Sequence, residues 1–197
     1  VERDLRELSQ VEQLPDFSRL MSALALRTGQ ILNLSSLSRD LGIPFSTLRR
    51  HVHLLLQTYQ AFLLFPWVSS PVRRMAKAPK AYAGDTGFAC HLSAADTWED
   101  LVRQGRVGPM LESWICSELR ALKSLTPPRI GLWTWRTSNR HEVDFLLERG
   151  DQMVGIEVKS GSGFGHSDLA GLKACREAMG KRWRFGVLLH GGPESVP

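Results

Sequence analysis

Apolar positions in the first third of the chain recur at helical spacing. Phe17, Leu20, Met21, Leu24 and Ala25 fall at i, i+3, i+4, i+7 and i+8 within residues 16–28, which predicts a helix with one buried face. Leu34, Leu37 and Leu41 repeat the spacing, and Gly42 stands where a helix-ending glycine stands. After Ile43-Pro44-Phe45, Ser46 or Thr47 offers an N-cap, and Leu48, Val52, Leu55 and Leu56 mark a third helix. Two helices joined by so short a connection predict a helix-turn-helix. The period then changes. Ala61–Trp67 reads as a strand, Ser69-Ser70-Pro71 as a turn, and Val72–Tyr82 as a returning strand. A hairpin behind a helix-turn-helix predicts a winged helix over residues 16–95. Its exposed bases are Arg49, Arg50 and His53 on the third helix and Arg73, Arg74, Lys77 and Lys80 on the wing. Such a patch suits DNA phosphates, and equally serves solubility and edge protection.

A polar stretch, residues 93–108, separates this half from a second one over 105–197. From Gly108 the pattern predicts helix 108–123, strands 130–136, 141–148 and 152–160, helix 167–179 and strand 182–190. That is a small α/β unit in αβββαβ order.

The composition of the 197 residues narrows the class. Hydrophobic residues at 43% and charged ones at 23% exclude wholesale disorder. No apolar run approaches the ~18 residues of a membrane helix. Twenty-five Lys+Arg against 20 Asp+Glu leave a modest basic surplus. Cys90, Cys116 and Cys175 are scattered and odd in number, the usage of a reduced, cytoplasmic chain. The charged start Val1-Glu2-Arg3-Asp4 is not that of a secretory leader, and its lack of Met points to a piece of something longer.

The chemistry concentrates in EVDFLLE and MVGIEVKS. Strand alternation puts Glu142, Asp144 and Leu146 on one face of the first, and Gly155, Glu157 and Lys159 on one face of the second. A two-residue turn at Gly150-Asp151 pairs Arg149 with Gln152 and therefore Asp144 with Glu157, roughly 5 Å apart at Cβ. Two carboxylates so close need a counter-charge or a divalent cation. Lys159 shares their face. A cation there activates water and the lysine stabilises developing phosphorane charge, which is phosphodiester hydrolysis. The plainer reading is a half-buried Glu157–Lys159 pair with Asp144 solvated. None of the histidines shows zinc-site spacing.

Asp144, twelve residues, then Glu157-Val158-Lys159 resembles the D-x(n)-E-x-K signature of the PD-(D/E)xK nuclease superfamily, whose core also runs αβββαβ. The proline usual before the aspartate is replaced by Val143. The resemblance implies Mg2+ or Mn2+ ligated by Asp144, Glu157 and the Val158 carbonyl. It also implies Lys159 assisting the water, and Glu112 of GPMLESW supporting the metal. Residues 20–190, through LNLSSLSRDLGIPFSTLRRHV, KAPKAYAGDTGFACHL and GIEVKSG, resemble the C-terminal region of a prokaryotic family of AAA-type ATPases. In that family a P-loop ATPase precedes a winged helix and a PD-(D/E)xK-like domain. The resemblance makes residues 1–15 the end of the ATPase lid and the ATPase domain a partner. ATP enters only through that domain, because G-x-x-x-x-G-K-S/T is absent here. Two functions follow as expectations: a Mg-dependent DNA hydrolase, or an inactive nuclease-fold module that binds DNA or protein and regulates the ATPase.

Overall fold

The computed structural model describes residues 14–125 and 129–193. Helix α1 (Leu14–Leu26) buries the predicted stripe Phe17, Leu20, Met21, Leu24 and Ala25; most of the segment expected as an ATPase lid lies outside the described residues. Helix α2 (Leu34–Leu41) begins at Asn33, whose side chain accepts the Ser36 N–H. It ends at Gly42 in the left-handed region, φ +63°, where a Cβ would be strained. Helix α3 (Phe45–Gln57) starts directly after Pro44 with no side-chain cap, so Ser46 and Thr47 are first-turn residues and not the caps expected. The helices pack over a three-stranded antiparallel sheet, order β1 (Gln30–Ile31), β3 (Lys80–Ala83), β2 (Ala61–Leu64).

The long returning strand is not there. Ser70 accepts the Arg73 N–H as an N-cap and Pro71 takes the first helical position, so residues 71–75 form a short helix, α4 (Pro71–Met75), and only Lys80–Ala83 is extended. The polar stretch also holds structure. After α5 (Thr86–Leu92), capped by Asp85, comes α6 (Trp98–Arg103), opened by a reciprocal Thr97–Asp100 capping box.

The second half follows the predicted order. Helix α7 (Val107–Leu125) precedes β4 (Gly131–Arg136), β5 (Glu142–Arg149) and β6 (Gln152–Lys159); a 3-10 turn then leads to α8 (Ala170–Met179) and β7 (Trp183–His190). The sheet runs β4-β5-β6-β7, antiparallel except for the β6–β7 pair, which is parallel across the α8 crossover. Gly150, φ +61°, takes the first position of the two-residue hairpin turn. Helix α8 presses so closely on β5 that a Cβ at Gly171 would lie 1.9 Å from the Glu142 carbonyl oxygen.

The halves divide in sequence but not in space. Phe62, Leu64 and Tyr82 from the first share one core with Cys116, Leu132, Phe145 and Ile156 from the second. On the opposite face Trp135, Val143, Leu146 and Met153 pack against Leu172, Cys175 and Met179. Residues 65–67 add to the edge of β4: the Thr134 N–H donates to the Phe65 carbonyl (3.0 Å) and the Trp67 N–H to the Thr134 carbonyl (2.7 Å). Together the elements make a mixed α/β structure with two sheets joined through one core.

Candidate active site

The site forms where the β5–β6 ladder ends. Pairing runs in the expected register from Arg149–Gln152 to Phe145–Ile156. At the next position Asp144 breaks the ladder, and its Oδ2 accepts the Val158 backbone N–H at 2.9 Å. The cause lies on the other edge of β5. Trp133 pairs with Leu146 but Trp135 with Val143, so Asp144 and Phe145 together oppose Thr134 in a β-bulge. The extra residue lets Val143 and Leu146, three apart, share one core while Phe145 enters the other. It re-aims Asp144, as bulges do beside functional sites.

Asp144 and Glu157 both hold their protons more tightly than ordinary carboxyls. Burial, then the negative charges of Glu112 and Glu157, push Asp144 up to about 7 against the opposing pull of Lys80 and the Val158 N–H. Glu157 is raised by burial despite its bond from Lys159 Nζ to Oε1 at 2.8 Å. Its other oxygen, Oε2, is buried and has no hydrogen-bond partner among the described residues. An unsatisfied buried carboxylate oxygen costs about 1–3 kcal/mol or more, so it calls for a proton or a cation.

Glu112, one turn into α7, accepts the Tyr82 hydroxyl at 2.6 Å and Lys80 Nζ at 3.0 Å. Lys80 Nζ also lies 2.6 Å from Glu142 Oε1 and 3.8 Å from Asp144 Oδ1. Burial by itself would depress that ammonium, but the three carboxylates outweigh it and raise its pKa. Lys80 is therefore not a wing residue facing DNA. Its side chain is 11% exposed, and it serves as the counter-charge of three carboxylates, Glu112, Glu142 and Asp144. The sequence marks Lys80 only as a wing base, and it does not mark Glu142 or Tyr82 as site residues. Alternation had already put Glu142 on the Asp144 face, whereas nothing in the spacing links Lys80 and Tyr82 to Glu112.

Arg74 is the second basic residue turned to structure. Its Nε donates to the Val68 carbonyl (2.6 Å), its Nη1 to Glu148 (2.9 Å), and its guanidinium lies 4.5 Å from the Trp133 ring centroid and 5.2 Å from that of Trp67. Arg73 and Lys77 are exposed, on α4 and just after it rather than on a strand. Arg49, Arg50 and His53 stay together: with Ser46 and Thr47 they line an open groove of about 560 Å³ on α3. Trp135 is buried and faces no open groove.

Among the described residues no group of three or more His, Cys, Asp or Glu side chains is arranged to hold a metal ion. Glu112 is committed to Tyr82 and Lys80, and Val158 contributes its N–H to Asp144. What remains for a hard cation is the Asp144–Glu157 pair with the orphaned Glu157 Oε2, beside the Val158 carbonyl, which the N–H bond to Asp144 does not engage. None of the described helices is long and apolar enough to cross a membrane.

Residues 1–99 match the family described as Domain of unknown function (DUF8612), and residues 107–197 the one described as Domain of unknown function (DUF4143). Uncharacterised proteins of Mycobacterium bovis and Mycobacterium tuberculosis are each 30% identical to the chain over 159 residues, covering 81% of it. The chain spans only 35% of the length of these curated relatives. No solved structure matches it.

Proposed function

We propose that this chain, which belongs to the DUF8612 family, is a DNA-directed phosphodiesterase module in which a winged helix and a PD-(D/E)xK-like hydrolase core act as one unit. The observation that carries the reading is the meeting of Asp144, Glu157 and Lys159 where the strand ladder ends, with a buried carboxylate oxygen left unsatisfied. Crowding carboxylates this way weakens the fold, which is what a site built for reaction does. The αβββαβ order supports the same assignment. The relatives' greater length leaves room for the ATPase domain that the resemblance calls for.

The donors suit magnesium, which is commonly held by one or two carboxylates together with waters and substrate phosphates. Asp144 and Glu157 would hold it, and Glu112 would act on it only through the Lys80 network. Bound there, the ion would polarise the scissile phosphate and lower the pKa of a water. Lys159, with its side chain 35% exposed, moves from Glu157 to a phosphate oxygen once substrate enters and offsets charge building there. Arg49, Arg50 and His53 on α3 neutralise backbone phosphates and fix the DNA on the module.

Lys80 favours a second reading. An ammonium already neutralises Glu112, Glu142 and Asp144, as it would in a module kept for binding and regulation. Calorimetric titration of Mg2+ and Mn2+ into the wild type and Asp144→Asn separates the two readings. The hydrolase takes up one ion that the variant does not, and the binding module takes up none.

A further inference from the structure

Three cations converge at the other end of α7, about 12–17 Å along the helix from Glu112 at 1.5 Å per residue. Arg120 and Lys123 project from α7, and Arg129 stands just before β4. With Leu63, Phe65 and Trp133 they line a cleft of about 530 Å³, within the range that small ligands occupy. Like charges three residues apart on a helix repel. Burial holds both Arg120 and Lys123 below their ordinary pKa, and the charges of Arg120 and Arg129 add to this at Lys123.

Among the described residues no free carboxylate offsets that repulsion. None of the three forms an ion pair among the described residues. The one carboxylate in the cleft wall, Glu148, is already used by Arg74, Arg182, Trp67 and Trp133. The negative end of the α7 dipole accounts for Lys123 in the last turn. It does not account for Arg120 a turn earlier, whose guanidinium is set 3.7 Å from the Phe62 ring centroid. Leu63, Leu64 and Phe65 give the cleft an apolar wall beside the charges.

We propose that this cleft binds a nucleotide phosphate, with the anionic oxygens among Arg120, Lys123 and Arg129 and the base against Leu63 and Phe65. The phosphate comes from a free nucleotide or from the end of a single strand; the chemistry of the cleft is the same for both. The inference is independent of the carboxylate site.

The test is fluorescence anisotropy of a 5′-phosphorylated, 3′-labelled pentathymidylate titrated with the 197-residue chain, with AMP as competitor. The double variant Lys123→Glu, Arg129→Glu binds more than tenfold more weakly, and its salt slope is shallower by about 1.4 for two lost phosphate contacts. Lys173→Glu with Arg176→Glu, the same charge reversal on the exposed face of α8, leaves binding within twofold. Competition by equimolar AMP identifies a free nucleotide, and failure to compete identifies a strand end. Unchanged urea midpoints in the charge variants exclude unfolding as the cause. Wild-type-like binding by the Lys123/Arg129 variant, or binding of neither ligand by the wild type, overturns the proposal.

Discussion

Asp144→Asn separates the stability of the site from its chemistry. The folded Asp144 carboxyl, at about 7 against an ordinary 3.8, holds its proton more tightly than the unfolded one. Between those values the folded state keeps a proton that the unfolded state has lost, so this group's contribution to stability declines as pH rises. At about 1.4 kcal/mol for each tenfold preference, the full cost is about 4 kcal/mol at pH 8, and about 1 kcal/mol of it is already present at pH 4.5. Asparagine cannot ionise and its amide oxygen can still accept the Val158 N–H. The variant should therefore gain about 3 kcal/mol on the wild type between pH 4.5 and pH 8. Urea unfolding followed by tryptophan fluorescence at the two pH values measures the difference. A stability gap that stays flat within about 0.5 kcal/mol, or turns against the variant at pH 8, refutes the argument that burial and the neighbouring carboxylates raise this group.

Lys80→Met leaves Glu112, Glu142 and Asp144 without their ammonium. It should cost about 3 kcal/mol at pH 8 and less at pH 5, where protonation relieves the repulsion, as urea midpoints at both pH values would show. Glu148→Gln should cost about 2 kcal/mol at pH 7, because the bonds from Arg74 and Arg182 hold its pKa below the ordinary value and favour the charged form. That stability is present above the ordinary glutamate range and lost on acidification, so the gap to the variant closes towards pH 3. Gly171→Ala should cost about 2–3 kcal/mol, since its methyl group meets the Glu142 carbonyl and pushes α8 off β5; thermal unfolding reads the loss. Arg49→Ala and Arg50→Ala should each lower duplex DNA affinity and flatten its salt slope by about 0.9, measured by anisotropy from 50 to 200 mM salt.

The register of β5 on β6 was legible because Gly150-Asp151 allows one hairpin turn and the flanking residues alternate cleanly. The stripes of α1, α2 and α3 were legible for the same kind of reason: each turns one apolar face into the core of the first half. The bulge at Asp144-Phe145 was not. VDFLLE is apolar enough to suit either face at several positions, and the shift is set by pairing with β4. Ser70-Pro71 reads equally as a turn and as a cap followed by a first helical residue; the outcome is decided by Arg74, which seats its guanidinium against Trp67 and Trp133. Lys80 looks like any surface base in sequence. Its burial depends on Glu112 and Glu142, which are brought to it only when the second half packs against β3. The Thr97–Asp100 box stands in the sequence as T-x-x-D, but the polar residues around it carry no apolar stripe that would mark the helix it opens.

The account turns on whether Asp144, Glu157 and Lys159 hydrolyse DNA. The most direct measurement is cleavage of supercoiled and linear DNA by the chain in Mg2+ or Mn2+, with EDTA as control, beside Asp144→Asn and Lys159→Ala. The account predicts metal-dependent cutting by the wild type and its loss in both variants while their folds stay intact. No cutting by the wild type with either metal, or cutting that persists undiminished in both variants, contradicts it.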